Sequence, residues 1–324
     1  MDDEFSELQK KVLELKEKRN ALILAHNYQT MNIQKIADFT GDSLQLAQTS
    51  TEVEGYDMIV FAGVRFMAEM AAILAKDTPV YLPEPEVPCP LASFVDAEAV
   101  RKKKEEYPDV PIIVYVNTTA ETKHEADMIC TSGSAVEVVE AAGTSRVIFG
   151  PDSNLADFVR KNTDIEIIDL EPSGHCYVHD RFTVEQIEEL KKKYRNAVAI
   201  AHPECPDEVQ EAADLVGSTG MMVKTVAASD ADTFLIATEM GLVEQLQKDN
   251  PEKTIIPVSE DAICFTMKRN TLKGIYNLLK DLPEENRVTV PDYMVEHITR
   301  ILEEMNRVKG NGKAAETKAT VTTN

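Results

Sequence analysis

Short apolar runs rich in β-branched residues recur along the chain at a regular spacing. They fall into three sets, and within each set the copies lie roughly 85 to 91 positions apart. Uninterrupted apolar runs of this length are typical of strands that are buried on both faces of a parallel sheet. The sets are residues 21–26, 111–117 and 197–202; residues 58–63, 146–150 and 234–237; and residues 79–82, 165–170 and 253–257.

Helical patterns separate these predicted strands, so that each copy of the repeat has the order β-α-β-α-β. The runs 66–74, 154–159 and 241–246 hold equivalent places after the second strand. Strands that alternate with helices predict a parallel sheet covered by helices on both faces and joined by right-handed crossovers. The predicted fold class is α/β, with three homologous three-layer α/β/α domains related by pseudo-threefold symmetry and an active site at their shared centre.

The repeat also predicts the domain boundaries. A helical pattern from Glu4 to Lys18 is expected to pack on the first domain, and another from Asp292 to Val308 is expected to close the fold. From Lys309 onward the composition predicts a disordered tail. The predicted divisions are 1–93, 94–181 and 182–270 for the three domains, 271–308 for C-terminal helices and 309–324 for the tail.

Three of the five cysteines occupy the same place in the repeat. Cys89, Cys176 and Cys264 each follow the third predicted strand of their copy by about seven residues, and they are 87 and 88 positions apart. Cys130 and Cys205 have no such counterparts. Because ligands bind outside the carboxyl ends of parallel strands, the three equivalent thiols are expected to point at a common centre.

Two kinds of metal centre are compatible with three converging thiols. A zinc ion would need a fourth ligand, which His179 could supply three residues after Cys176. A four-iron cluster can be held by three thiolates, with one iron left open to substrate, and its bulk suits three domains better. No C-x-x-C pair occurs and the number of cysteines is odd, which argues against zinc-finger, ferredoxin and disulfide patterns.

Polar side chains follow the first strand and the first helix of each copy, where a ligand is expected to bind. Histidine, tyrosine and carboxylate groups there are candidates for proton transfer near neutral pH. Hydroxyl residues beside glycine at a helix N-terminus can bind an anion or cap the helix. The proton-transfer candidates at these places are His26, Tyr28, His202 and Glu204, and His179, three residues after Cys176, is a further candidate. The hydroxyl loops are residues 40–43, 131–134 and 217–220.

Charge and composition exclude several classes of partner. The net charge of -22 would repel nucleic acid and anionic membranes, although a small anion can still bind where local positive charge or helix N-termini collect. No apolar run reaches the length of a membrane span, about 18 residues. The acidic start of the chain lacks the layout of a signal peptide. We therefore expect a cytoplasmic enzyme with no nucleic-acid or membrane partner.

Many segments together resemble the quinolinate synthase family, over residues 21–279. They occur in the family's order, which makes the likeness more specific than any single motif. The resembling segments are Ala25-His26-Asn27-Tyr28, Gly41-Asp42-Ser43-Leu44, Gly63-Val64-Arg65-Phe66-Met67-Ala68-Glu69, Tyr115-Val116-Asn117, Cys130-Thr131-Ser132, Gly150-Pro151-Asp152, Cys176-Tyr177-Val178-His179, Ala201-His202-Pro203-Glu204-Cys205, Gly217-Ser218-Thr219, Thr238-Glu239 and Cys264-Phe265-Thr266-Met267-Lys268.

The resemblance implies a condensation of iminoaspartate with dihydroxyacetone phosphate to quinolinate, a precursor of NAD, with release of phosphate and water. It implies a [4Fe-4S] cluster on Cys89, Cys176 and Cys264, with the fourth iron open as a Lewis acid. An aspartate-oxidising enzyme is a candidate supplier of iminoaspartate. The implied catalytic residues are Tyr28, Tyr115, His179, His202 and Glu204, and the implied substrate-binding residues are His26, Ser43, Asn117, Ser132, Ser218 and Thr219.

Two other enzyme classes compete with this interpretation. An iron–sulfur enzyme like the diphthamide-synthesis proteins would also place one cysteine in each of three domains, but it would leave His26, Tyr28 and Glu204 without an obvious use. A zinc hydrolase could use Cys176, His179 and one further ligand. The chain also departs from the family pattern in places, for example at Ser134, where the family more usually has asparagine.

Overall fold

The structure, a computed structural model, describes residues 5–52, 55–75 and 78–312 of the chain. It contains three parallel sheets, each flanked by helices. Each sheet is formed by one copy of the repeat, called a unit below. The four strands of each unit lie side by side in the order second, first, third, fourth, counted along the chain, and neighbouring strands of a unit are parallel. The predicted α/β class with three layered units is confirmed.

The first unit starts with a capped helix. The Ser6 hydroxyl accepts a hydrogen bond from the backbone N–H of Gln9, and the backbone N–H of Ser6 donates to the Gln9 side chain, which forms a capping box. The elements are α1 (Glu7–Lys18), β1 (Ala21–His26), α2 (Met31–Gln34), β2 (Phe39–Gly41), α3 (Ser43–Glu52), β3 (Met58–Ala62), α4 (Arg65–Leu74) and β4 (Val80–Tyr81). Every residue of β1 and β3 is buried, as their apolar runs predict.

The second and third units repeat this order. The second contains α5 (Ala97–Glu106), β5 (Ile112–Tyr115), α6 (Ala120–Glu125), β6 (Met128–Cys130), α7 (Ala135–Ala141), β7 (Arg146–Gly150), α8 (Ser153–Lys161) and β8 (Glu166–Asp169). The third contains α9 (Val184–Lys193), β9 (Val198–Ala201), α10 (Asp207–Ala212), β10 (Leu215–Val216), α11 (Thr219–Ala228), β11 (Thr233–Ala237), α12 (Met240–Asp249) and β12 (Thr254–Pro257).

Each unit has one strand more than the apolar pattern predicts. The additional strands β2, β6 and β10 are two or three residues long, and they pair only with the first strand of their unit, at the edge of the sheet. Phe39 and Leu215 on these strands are exposed. Since an edge strand needs no continuous apolar run, its sequence resembles a loop.

An aspartate before each edge strand makes the same contact in all three units. Its carboxylate accepts a hydrogen bond of 2.8 Å from a backbone N–H of the unit's first strand. A lysine on the helix that precedes the first strand of the unit pairs with the same carboxylate. This shared contact supports a common origin of the units. The aspartates are Asp38, Asp127 and Asp214, and their lysines are Lys16, Lys104 and Lys191.

The C-terminal segment returns to the first and second units. Helix α13 (Leu272–Asp281) packs on α1, and β13 (Arg287–Val288) pairs antiparallel with β4. Helix α14 (Asp292–Gly312) packs on α4, α6 and α7 and extends four residues beyond its predicted end. The rest of the predicted tail, 313–324, lies outside the described residues. In the described ranges no helix is long and apolar enough to cross a membrane.

Candidate active site

Residues from all three units line one partly open cavity at the carboxyl ends of their strands. Nearly all of the residues that the sequence analysis singled out line it; His179, which is 1% exposed, lies just behind the wall. The predicted residues in the lining are His26, Tyr28, Ser43, Cys89, Tyr115, Asn117, Ser132, Cys176, His202, Glu204, Ser218, Thr219 and Cys264.

Cys89, Cys176 and Cys264 all line the cavity as free, partly buried thiols. Each is followed by a short 3-10 turn, which begins at Leu91, His179 and Met267, respectively. The lining does not include Cys130 at the end of β6 or Cys205, and both are fully buried.

Two of the cavity cysteines, Cys89 and Cys176, are held as neutral thiols at neutral pH by their burial. Burial raises the pKa of Cys89 to about 12. Burial, and after it the charge of Glu204, raises the pKa of Cys176 well above its usual range. A bound metal or cluster would deprotonate these thiols outright. Three soft donors from three units fit a thiolate-bound metal centre.

His26 and His202 occupy equivalent places and share one tautomer. In each ring Nδ1 accepts a hydrogen bond from the backbone N–H two residues ahead, from Tyr28 at 3.1 Å and from Glu204 at 3.3 Å. The proton of each neutral ring therefore lies on Nε2. Burial is the main cause that lowers the pKa of both histidines to about 3. At neutral pH they are uncharged hydrogen-bond donors.

Glu204 is a buried carboxylate at the centre of the polar network. Its Oε1 accepts a hydrogen bond of 2.6 Å from the Tyr115 hydroxyl, and its Oε2 lies 2.9 Å from Nδ1 of His179. Burial alone would raise its pKa, but His202, His179 and the hydrogen bonds outweigh burial and lower it. Glu204 is therefore ionised at neutral pH, and Nδ1 of His179 is the donor in their contact.

The network continues from His179 to Tyr28, which lines the cavity. Nε2 of His179 lies 2.9 Å from Oγ1 of Thr238, which lies 2.9 Å from the hydroxyl of Tyr28. Burial, followed by the charge of Glu204, raises the pKa of Tyr28 and Tyr115, so both phenols keep their protons. One direction of donation fits every link: Tyr28 to Thr238 to His179 to Glu204, with Tyr115 donating to the same carboxylate.

The hydroxyl loops serve both capping and lining roles. Ser218 caps α11 by accepting a hydrogen bond from the backbone of Met221, whereas Thr219 begins that helix and lines the cavity. Ser43 begins α3 and lines the cavity, while Asp42 accepts hydrogen bonds from the first turn of that helix. Ser134 bonds to Thr131 and shapes its loop, so its departure from the family pattern has a local effect.

Several polar side chains of the site received no predicted role from the sequence, although they lie in segments that resemble the family. Thr238 joins Tyr28 to His179 and comes directly after β11. Glu239 accepts a hydrogen bond from the backbone N–H of Cys264 at 3.0 Å and pairs with Lys268. Asp152 is fully buried and caps α8 by accepting a hydrogen bond of 2.7 Å from the backbone N–H of Leu155.

A group of possible metal ligands lies beside the three cysteines. One donor atom each from Cys176, His179 and Glu204 fall within 4.8 Å of one another. Within this group His179 already makes hydrogen bonds to the other two, at 3.2 Å to Cys176 and 2.9 Å to Glu204. The group could hold a metal ion, but these hydrogen bonds already satisfy its polar atoms.

Residues 10–307 match the family model described as quinolinate synthetase A protein. The chain belongs to this family. Curated relatives named quinolinate synthase include those of Methanothermobacter thermautotrophicus, 47% identical over 94% of this chain and 99% of the relative, and Pyrococcus abyssi, 48% identical over 91% and 97%. The relative from Thermotoga maritima is 42% identical over 92% of this chain and 99% of its own length.

Membership of the quinolinate synthetase A family confirms the resemblance seen in the sequence, and it makes the chain an enzyme. The match covers all three units as well as most of α14. The competing diphthamide-like interpretation is therefore set aside.

Proposed function

We propose that this chain is a quinolinate synthase that condenses iminoaspartate with dihydroxyacetone phosphate, with release of phosphate and water, in the synthesis of NAD. Relatives of that name match nearly the whole chain. The observation that carries the proposal is the convergence of Cys89, Cys176 and Cys264, one from each unit, on one cavity. A concave site that combines apolar walls with converging polar groups suits a small-molecule substrate.

Cys89, Cys176 and Cys264 would hold a [4Fe-4S] cluster. Three thiolates leave one iron of such a cluster free, and when bound it supplies Lewis-acid polarisation of a substrate oxygen. Glu239 supports this assignment because its carboxylate accepts a hydrogen bond from the backbone N–H of Cys264 and so holds the backbone of one of the three cysteines.

The side chains around the thiols suit two small anions. His26 and His202 present neutral N–H donors, and the first residues of α3 and α11, Ser43 and Thr219, line the cavity where the helix dipoles favour negative charge. Together with Asn117, Ser132 and Ser218 they would bind carboxylate and phosphate groups. An otherwise acidic protein thus gains local affinity for anions.

Proton transfer would follow the network that crosses the cavity. Tyr28 and Tyr115 both line the cavity, and Thr238, His179 and Glu204 connect them. With this direction of donation, Tyr28 can take a proton from a substrate atom while its own proton passes to Thr238, that of Thr238 to Nε2 of His179, and that of His179 Nδ1 to Glu204. Such a relay suits a condensation that must protonate leaving oxygens and remove carbon-bound protons.

An aspartate-oxidising enzyme is the proposed source of iminoaspartate, and a cytoplasmic location stays a prediction from the sequence. The domain divisions at residues 93, 181 and 270 also stay predictions. They place one sheet in each domain and leave β13 to join the first sheet from outside it.

The cysteines provide the decisive experiment. Protein purified without oxygen should be brown, contain about four iron atoms per chain and form quinolinate from the two substrates. The variants C89A, C176A and C264A should lose both colour and activity. The matched controls C130A and C205A should keep the colour, although both sites are buried and the variants can be less stable. A colourless preparation with one zinc per chain, bound by Cys176, His179 and Glu204, would contradict the proposal.

A further inference from the structure

A side chain of the first unit reaches back to hold a loop that carries a cavity residue. Gln34 is the fourth residue of α2, and its Nε2 donates to the carbonyls of Asn27 at 3.0 Å and Gln29 at 2.8 Å. These carbonyls flank Tyr28, which lines the cavity. The same Nε2 also lies 3.4 Å from the carbonyl of Gly241, the second residue of α12 in the third unit.

The third unit repeats this arrangement. Gln210 is the fourth residue of α10, and its Nε2 donates to the carbonyls of Pro203 at 3.0 Å and Cys205 at 2.8 Å. These carbonyls flank Glu204. The amide also lies 3.3 Å from the carbonyl of Asn154, the second residue of α8 in the second unit. Both glutamines therefore fix a cavity loop and join their unit to a neighbour.

The second unit has a lysine at this place. Lys123 is the fourth residue of α6, and its Nζ donates to the carbonyl of Thr118, five residues back, as the glutamines do. Its neighbour is again the second residue of a helix in another unit: Nζ lies 5.1 Å from the centre of the Phe66 ring on α4. The three contacts thus run in a ring from unit one to three, three to two, and two to one.

The surroundings of Lys123 explain the exchange of an amide for an ammonium group. The neighbouring helix offers an aromatic face, which attracts a cation. The Glu69 carboxylate of the same helix accepts a hydrogen bond of 3.0 Å from the backbone of Ala120, at the start of α6. Lys123 is 1% exposed; burial lowers its pKa to about 7, and Glu69 opposes that shift.

We propose that Lys123 is a positioning residue that holds the 115–118 loop against the first unit and so places Tyr115 and Asn117 in the cavity. It acts in the second unit as Gln34 and Gln210 act in the first and third. The placement matters because the Tyr115 hydroxyl reaches Glu204 of the third unit at 2.6 Å. The role of these cavity residues in turnover rests on the proposed function; the placement of the loop does not.

The matched variants are K123Q and K123M, tested in the cluster-loaded protein. K123Q restores the amide that the other two units use, whereas K123M keeps the apolar stem and removes every donor. We expect K123M to lower kcat/KM for quinolinate formation on the order of 10- to 100-fold, because small displacements of positioned groups are costly. K123Q should stay within about threefold of the wild type, and iron content should be equal in all three proteins.

Hydrogen exchange of the backbone amides in residues 115–119 tests the placement without any assay of activity. We expect faster exchange there in K123M than in K123Q and the wild type, with other cavity loops unchanged. If K123M does not fold, K123N replaces it, because its shorter amide cannot reach the Thr118 carbonyl. Equal exchange and equal kcat/KM in all variants would overturn the proposal. An inactive wild type with the expected exchange pattern would instead refute only the proposed function.

Discussion

At the scale of single residues, the protonation states of the cavity groups follow from burial and hydrogen bonds. An unperturbed histidine side chain titrates near neutral pH, and His26 and His202 would be expected to do the same. Here each accepts a backbone hydrogen bond on Nδ1 and is buried, so the charged form is disfavoured. Their task at neutral pH is donation from Nε2, and the proton relay belongs to other residues.

The two histidines should not titrate in the folded protein between about pH 5 and 8. Their pKa values of about 3 lie well below that range because of burial. Proton NMR can test this, with the two ring signals assigned by their loss in H26Q and H202Q. A signal of either residue with a midpoint near its ordinary pKa would contradict the expectation.

The same shift affects stability. Between the folded pKa of about 3 and the ordinary value of 6.5 the unfolded chain binds protons that the folded protein does not. With respect to these two histidines, the folded protein is therefore most stable above pH 6.5, and its free energy of unfolding decreases as the pH falls from 6.5 towards 3.

At the scale of elements, small contacts rather than apolar runs place the edge strands. The strands β2, β6 and β10 are only two or three residues long, which is too short to be found from hydrophobic pattern alone. In each case the aspartate before the strand bonds to the backbone of the neighbouring central strand. Hence the edge of each sheet, and the hydroxyl loop that follows it, depend on one carboxylate.

Removal of that carboxylate should loosen the edge of one sheet. In D214A the backbone N–H of Ala199 loses its partner and Lys191 loses its ion pair, which should lower the free energy of unfolding by about 1 kcal/mol. Denaturant unfolding followed by circular dichroism measures the change. D214N retains an acceptor and should lose less; a D214A protein as stable as the wild type would show that the contact is unimportant.

At the scale of the whole molecule, no single unit contains the candidate active site. The network from Tyr28 to Tyr115 uses one residue of the first unit, two of the second and two of the third. The thiols also come one from each. Correct packing of the three units is therefore a requirement for chemistry as well as for stability.

Breaking the network at Thr238 should test this view. T238V has nearly the same volume but lacks the hydroxyl that links Tyr28 to His179, so kcat should fall on the order of 100-fold, the usual range for a lost proton-transfer group. T238S keeps the hydroxyl and should retain most activity. Steady-state kinetics beside iron analysis separates this effect from loss of the cluster. Unchanged kcat in T238V would remove the relay from the mechanism.

The sequence by itself determined the three-unit α/β plan and the equivalence of Cys89, Cys176 and Cys264. Both depend on periodicity. Buried parallel strands require continuous apolar runs, and the repetition of these runs assigns every residue to an equivalent position in its unit. Most cavity residues were found for the same reason, since strand ends such as His26 and His202 are where a parallel sheet binds its ligands.

Only the tertiary structure decided which of these side chains touch. Thr238 and Lys123 look like ordinary loop and helix residues in the sequence, because their partners lie in other units or across a loop. Hydrogen bonds between units depend on how the three sheets pack against one another, and no local sequence pattern encodes the distance between side chains of different units. The sequence thus identified the site, and the packing of the units made it a connected network.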